Sequence, residues 1–206
     1  LSTADNILRV GRELGLCSDD ADTNALVTRG DAAIILHVVL TQSFRIEEPP
    51  VPVTLVNAAG VNINDYLLAL RQPVLAAFNA AGWTYRIDFD YMGGLSKKLN
   101  MSCIGATNYS QKTIYLSEAS ATLHEFGHFL DWMLGFPAEY EQLFRAEASA
   151  APLRNYAKTD SREYFADCFA YWVKYAENAN AISLLQECAP MTYRYMEDLM
   201  RIANRL

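Results

Sequence analysis

Two histidines stand four residues apart in an apolar segment of the chain, and a glutamate directly follows the first. The five residues read His124-Glu125-Phe126-Gly127-His128. Because residues four apart share one face of an α-helix, both imidazoles can point at a single metal ion. Glu125 lies beside that face, where it can hold a water molecule polarised by the ion and accept its proton. Imidazole suits zinc, so the pattern predicts a helix that carries a catalytic zinc site.

A chance occurrence of this pattern is the alternative interpretation. The chain has only three histidines among 206 residues, so two of them rarely fall into the pattern at random. The third, His37, lies in an apolar run, where we expect a satisfied core histidine rather than a metal ligand. We therefore interpret the five residues as a metal-binding motif.

A catalytic zinc site needs a third protein ligand, and a downstream segment offers two carboxylates. Glu163 and Asp167 are four residues apart in a segment predicted to be helical from Ser161 to Tyr175. One carboxylate can bind the ion while the other accepts a hydrogen bond from a ligand imidazole. Alternatively, both only stabilise the N-terminal end of the helix. We favour ligation, because no histidine follows His128.

The charge balance argues against nucleic-acid binding. The chain carries 17 lysines and arginines against 24 acidic residues, a net charge of −7, and it has no basic run. Nucleic-acid binding depends on basic side chains that neutralise phosphates. The longest apolar stretch, residues 32–40, is far shorter than the about 20 residues that span a bilayer. We expect neither a nucleic-acid partner nor a membrane span.

Apolar periodicity and breaker residues predict two segments, an N-terminal helical one at residues 1–46 and a larger one at residues 51–206. In the larger segment we predict strands at Val51–Val56, Trp83–Phe89 and Ile114–Leu116. We predict helices at Asp65–Ala81 (interrupted by Pro73), Ala119–Leu134, Pro137–Ala150, Ser161–Tyr175 and Met191–Arg205. The glycine-bearing stretch from Asp90 to Lys112 is predicted to be a long loop.

The four cysteines do not form a zinc-binding pattern. No CxxC pair is present, which argues against a cysteine zinc site. An even number would suit two disulfides, although a chain of this length does not need them. The sequence leaves open the pairing of Cys17, Cys103, Cys168 and Cys188.

The motif, Tyr156 and the segment from Glu163 to Phe169 together resemble the catalytic domain of anthrax lethal factor. They resemble the small secreted Pro-Pro endopeptidases still more, over about Trp83 to Leu206. The resemblance implies an α+β, zincin-like fold, with a small twisted sheet over the motif helix and a mainly helical C-terminal half. It also implies a gluzincin, a zinc endopeptidase whose third ligand is a glutamate on a downstream helix.

The resemblance further implies a role for each matching residue. Three positions match the family's ligands for one zinc ion: His124, His128 and Glu163. Glu125 matches the general base, and Tyr156 matches a tyrosine that stabilises the developing oxyanion. Asp167 matches a carboxylate that supports the ligand set. The implied reaction is hydrolysis of protein or peptide substrates by metal-activated water. A preference for bonds beside proline is left open.

The family's architecture also implies a path for the substrate. An extended peptide is expected to add a strand beside the segment predicted at residues 114–117, which immediately precedes the motif helix.

A second resemblance lies in the N-terminal segment. Residues 28–36 are similar to a helix of S-layer homology modules, which implies association with a cell wall. The alternative is a capped amphipathic helix that packs on the catalytic domain. The chain starts at Leu1 rather than Met, which we interpret as a processed or trimmed product, and this leaves open the removal of a leader. We therefore expect a secreted or cell-surface protein.

The rival function is a zinc-containing surface attachment or binding module with little or no catalytic activity. Glu125 favours the enzyme, because a purely structural zinc site does not require a base beside its ligands.

Overall fold

The computed structural model describes residues 55–70 and 72–203. The N-terminal segment predicted at residues 1–46 lies outside the described residues, together with His37 and the S-layer-like helix. The described strands are β1 (Leu55–Val56), β2 (Thr84–Ile87), β3 (Gly105–Asn108) and β4 (Thr113–Leu116). The described α-helices are α1 (Asn64–Ala69), α2 (Gln72–Ala80), α3 (Phe89–Leu99), α4 (Thr122–Met133), α5 (Ala138–Glu147), α6 (Ser161–Tyr175), α7 (Ala179–Cys188) and α8 (Pro190–Ala203). Short 3-10 helices span Ala119–Ala121 and Asn155–Lys158.

The four strands form one mixed sheet in the order β1-β2-β4-β3. Strands β1, β2 and β4 run parallel, and β3 runs antiparallel to β4. Strand β4 is therefore flanked on both sides, since Ile114 lies opposite Tyr85 of β2 and Thr107 of β3. The expectation that a peptide pairs with residues 114–117 is wrong, because that strand has no free edge. Among the described strands, β3 is the edge strand next to β4.

The stretch from Asp90 to Lys112, predicted as a loop, is instead mostly helix α3 followed by strand β3. The side chain of Asp88 caps the helix by accepting a hydrogen bond from the backbone N–H of Tyr91 at 2.9 Å. The helix ends at Asn100, whose positive φ of 51° suits a C-terminal cap. Two internal glycines misled the prediction, since each costs a helix about 1 kcal/mol relative to alanine.

Aromatic side chains join the sheet to helix α4. Trp83, directly before β2, and Tyr85 and Ile87 within it are buried in alternation, as predicted, whereas Phe89 begins α3 and is exposed. The ring centre of Tyr85 in β2 lies 6.0 Å from that of Phe126 in α4, and the ring centre of Phe78 in α2 lies 4.9 Å from the same ring. Contacts of this kind fix the motif helix against the sheet, since buried aromatic rings supply large contact areas.

The C-terminal half is helical, and the predicted α+β class is confirmed. The helix predicted from Ser161 to Tyr175 has the same bounds in the structure. Helix α7 was not predicted; it begins at Asn178, whose side chain accepts a hydrogen bond from the N–H of Ala181 at 3.1 Å. The predicted break near Pro73 is present between α1 and α2.

The described part of the chain contains three cysteines and no helix suited to span a membrane. Cys103, Cys168 and Cys188 are free thiols, and Cys17 lies outside the described residues. None of the helices within the described ranges combines the length and the apolar content that crossing a membrane requires.

Helices α4 and α6 approach each other very closely at Gly127. A β-carbon on Gly127 would lie 2.6 Å from the Cα atom of Ala166 and 2.8 Å from its carbonyl oxygen. Such distances are shorter than van der Waals contact, so only glycine permits this separation of the two helices. The glycine of the motif therefore has a packing role.

Replacing Gly127 with alanine should lower the free energy of unfolding by about 1–3 kcal/mol, because the added methyl group overpacks the helix contact. The measurement is urea denaturation. Gly94→Ala is the matched control, because it lies in helix α3 with nothing within 4 Å of its added β-carbon. The control should gain about 0.4–1 kcal/mol. Equal effects of the two substitutions would contradict the close helix contact.

Candidate metal centre

Helices α4 and α6 bring two imidazoles and one carboxylate together. The Nε2 atoms of His124 and His128 lie 3.0 Å and 3.4 Å from Oε2 of Glu163. One ligand atom from each residue lies within 4.8 Å of the others. The Oε2 atom of Glu163 is buried and has no hydrogen-bond partner. Since buried polar atoms are almost always satisfied, this orphaned oxygen between two imidazole nitrogens fits a metal ligand.

Local structure explains why these three side chains meet. The histidines share one face of α4 because they are four residues apart. Glu163 lies in the first turn of α6, which begins at Asp160, whose side chain accepts hydrogen bonds from the N–H groups of Arg162 and Glu163. Helix α6 is therefore fixed at the end that carries the carboxylate.

The carboxylate of Asp167 orients the first histidine. Its Oδ1 atom lies 2.6 Å from Nδ1 of His124. An ionised carboxylate can only accept, so Nδ1 of His124 carries a proton, and loss of the proton on Nε2 would leave a lone pair that faces Glu163. Burial lowers the pKa of His124, but the neighbouring carboxylates of Asp167 and Glu163 outweigh it and raise the pKa to about 9. Burial raises the pKa of Glu163, yet the two histidines hold it well below its usual range.

Glu125 lies next to this cluster and is almost completely buried. Its Oε2 atom accepts a hydrogen bond from the hydroxyl of Thr107 at 2.7 Å. Burial raises the pKa of the Glu125 carboxyl group above its ordinary value. A β-carbon on Gly105 would lie only 2.5 Å from Oε1 of Glu125. The glycine therefore lets the edge strand β3 pass directly beside this carboxylate.

Tyr156 lies in the short helix that precedes α6. Its hydroxyl donates a hydrogen bond to Oε1 of Glu163 at 3.1 Å, and its ring centre lies 6.2 Å from that of His124. Burial and the nearby Glu163 raise the pKa of Tyr156 to about 12. The phenol is thus protonated near neutral pH and can donate a hydrogen bond, and the residue remains 42% exposed.

The predicted site residues all lie together, and the structure adds three that the sequence analysis did not select. Thr107 contacts Glu125, and the hydroxyl of Tyr109 lies 3.5 Å from Nδ1 of His128. The guanidinium of Arg154 contacts both oxygens of Asp167. Two of the three lie in the stretch predicted as a loop. For Arg154, the only feature of the sequence that could have indicated a role at the site is its position two residues before Tyr156.

These groups line one open cleft of about 1320 Å³. One wall includes strand β3 and the residues before it, among them the exposed side chains of Leu99 and Met101. The other wall follows α6 from Glu163 to Tyr175. The metal-ligand cluster is therefore open to a molecule that enters between the sheet edge and α6.

The sequence from residue 86 to residue 199, more than half of the chain, matches the family model described as anthrax toxin lethal factor, N- and C-terminal domain. The chain belongs to the anthrax lethal factor family. The matched range contains the cluster of His124, His128 and Glu163. Family and cluster together indicate a metal site and a metallopeptidase-like relationship.

Among solved structures, this member of the lethal factor family is similar to the Pro-Pro endopeptidase PPEP-2 from Paenibacillus alvei. The TM-score is 0.55 at 18% sequence identity, over 71% of this chain and 97% of that chain. At this identity the likeness shows the fold, which is zincin-like as expected. No curated protein matches the sequence.

Replacing Glu163 with alanine should reduce the affinity for Zn²⁺ by more than about 100-fold, since loss of even an outer partner of a ligand costs about 10- to 100-fold. Competition with a chromophoric chelator measures the affinity. Glu141→Ala removes an exposed glutamate paired with Arg145 and should leave the affinity unchanged. An unchanged affinity in Glu163→Ala would remove Glu163 from the ligand set.

Proposed function

We propose that this protein is a zinc-dependent endopeptidase of the gluzincin type that hydrolyses peptide bonds of proteins or peptides. One observation carries the proposal: the buried carboxylate of Glu125 lies beside a His-His-Glu cluster in an open cleft. A structural metal site does not need a carboxylate with a raised pKa beside its ligands. Membership of the lethal factor family and the fold shared with a Pro-Pro endopeptidase support the same conclusion.

The ligand chemistry favours zinc among the common metal ions. Two imidazoles and one carboxylate are a usual protein ligand set for catalytic zinc, which keeps a further position open. A zinc ion held by His124, His128 and Glu163 would supply Lewis-acid polarisation of the peptide carbonyl and would lower the pKa of water.

Glu125 is the proposed general base. Burial raises the pKa of its carboxyl group, which makes the carboxylate a stronger base toward the water that it deprotonates, and the same group can then give the proton to the leaving amine. The hydroxyl of Thr107 holds one carboxylate oxygen in place. That contact reduces the conformations that Glu125 can adopt, which favours a proton transfer that requires a fixed geometry.

Tyr156 is the proposed donor to the oxyanion that forms when the carbonyl is attacked. Its hydroxyl now donates to Oε1 of Glu163, and the side chain lines the cleft. A protonated phenol at this position can turn its hydrogen bond to a developing negative charge. Such a donor acts mainly on the transition state.

We propose that an extended substrate pairs with the edge strand β3. Gly105, Ala106 and Thr107 line the cleft, and the strand passes directly beside Glu125. An edge strand offers backbone hydrogen-bond partners to a peptide. The name of the similar Pro-Pro endopeptidase motivates a preference for bonds beside proline, and a peptide-library profile tests it.

We further propose a location outside the cell or at its surface. This rests on the resemblance of residues 28–36 to S-layer homology modules, a segment outside the described residues. Fractionation of the producing cells and their medium tests it.

Glu125→Gln should keep the metal and lower the turnover of a cleaved peptide by about 100- to 10,000-fold, the usual contribution of a general base. The amide can still accept a hydrogen bond from Thr107 but cannot take a proton. Metal content and turnover are measured on the same sample. Near-normal turnover with bound metal would show that Glu125 is not the base.

Tyr156→Phe should lower turnover by about 10- to 1,000-fold, as expected for loss of an oxyanion donor, and should leave zinc affinity and KM nearly unchanged. Tyr193→Phe is the matched control, since Tyr193 also donates to a glutamate, Glu197, at 2.9 Å, but lies outside the cleft. If both variants hydrolyse peptides as fast as the parent, Tyr156 has no part in the reaction.

A further inference from the structure

Arg154 contacts the carboxylate that orients His124. Its Nε atom donates to Oδ2 of Asp167 at 2.6 Å, and its Nη2 atom donates to Oδ1 at 2.7 Å. The same Oδ1 atom accepts the Nδ1 proton of His124 at 2.6 Å. Because Nη2 of Arg154 also lies 3.0 Å from Nδ1 of His124, the arginine, the carboxylate and the imidazole form one cluster at a metal-ligand candidate.

The geometry of this pair is unusually restrictive. A guanidinium that binds both oxygens of one carboxylate fixes the plane and the rotation of that carboxylate, which a lysine cannot do. The side chain of Asp167 is only 8% exposed whereas that of Arg154 is 51% exposed, so the carboxylate end of the pair is the one held away from water. Fixing Asp167 in turn fixes the imidazole of His124, since the two share a short hydrogen bond.

The same arginine also contacts the candidate oxyanion donor. The guanidinium carbon of Arg154 lies 5.3 Å from the ring centre of Tyr156, within the range of a cation–π contact. The two residues are separated by one position at the start of the short helix Asn155–Lys158. One side chain therefore connects the segment before α6 with both Asp167 and the tyrosine.

We propose that Arg154 is a positioning residue for the metal centre, which holds Asp167 so that His124 presents Nε2 to the ion. This proposal rests on the proposed metallopeptidase function and assigns Arg154 no contact with the reacting atoms. A purely structural alternative is that Arg154 only ties the segment before α6 to that helix. The alternative predicts loss of stability without loss of metal affinity.

The test compares Zn²⁺ affinity, by chelator competition, among three variants of the whole chain. Arg154→Met should weaken Zn²⁺ binding by about 10- to 100-fold, as for other outer partners of ligand histidines. Arg154→Lys keeps the charge but cannot bind both oxygens of Asp167. It should weaken Zn²⁺ binding, though less than Arg154→Met does. Arg145→Met breaks an exposed ion pair with Glu141 and should leave the affinity unchanged.

A second measurement separates positioning from mere stability. In the zinc-loaded parent, the Nδ1 proton of His124 should give a downfield proton NMR signal that exchanges slowly with water. In Arg154→Lys this signal should shift and exchange faster, even where the thermal unfolding temperature is unchanged. An unchanged signal together with parental Zn²⁺ affinity in both Arg154 variants would overturn the proposal. Failure of the parent to bind Zn²⁺ would instead contradict the proposed function.

Discussion

The arrangement of the metal centre depends on the contact between Gly127 of α4 and Ala166 of α6. Gly127 directly precedes His128 and lies two positions after Glu125, and Ala166 lies three positions after Glu163. Because a β-carbon would not fit at Gly127, the two helices meet backbone to backbone. A larger separation would move the carboxylate away from the imidazoles, so the packing of one glycine determines the ligand distances.

Electrostatics at the site follow from that packing. The contact brings the carboxylates of Glu163 and Asp167 to the imidazoles of His124 and His128, which share their helix with the carboxylate of Glu125. Buried charges need partners, since an unpaired ion in a protein interior is strongly destabilised. Arg154 and His124 compensate Asp167, whereas Oε2 of Glu163 lacks a hydrogen-bond partner. A divalent cation among the ligands would compensate the remaining negative charge. The groups that could bind an ion would therefore also be stabilised by it.

The parts of this site that could be predicted are those set by local periodicity. Helical spacing alone places His124 and His128 on one face, and it places Glu163 and Asp167 on one face of α6. The assignment of Glu163 as ligand and Asp167 as its supporting partner came from the family resemblance. The structure brings Glu163 to the imidazole Nε2 atoms and Asp167 to Nδ1 of His124.

What could not be predicted depends on contacts between residues distant in sequence. Thr107 lies 18 positions before Glu125, and no local pattern indicates that its hydroxyl holds that carboxylate. The residues before it were predicted as a loop because Gly93 and Gly94 disfavour a helix, although the cap at Asp88 and the burial of Met92 favour one. Missing α3 and β3 led directly to the wrong strand for the substrate. The order of the strands decides which strand has a free edge. It could not be predicted from the sequence of one strand, because it depends on how that strand pairs with distant segments.

The most direct test of the account is hydrolysis of a cleavable peptide by the metal-free chain as Zn²⁺ is returned in small steps. The metal-free chain should show no turnover, and turnover should rise linearly until one zinc ion is bound per chain. Glu125→Gln should bind the same amount of zinc without a rise in turnover. Peptide hydrolysis that persists in the fully metal-free chain, or a chain that binds one zinc ion and cleaves no member of a broad peptide library, would contradict it.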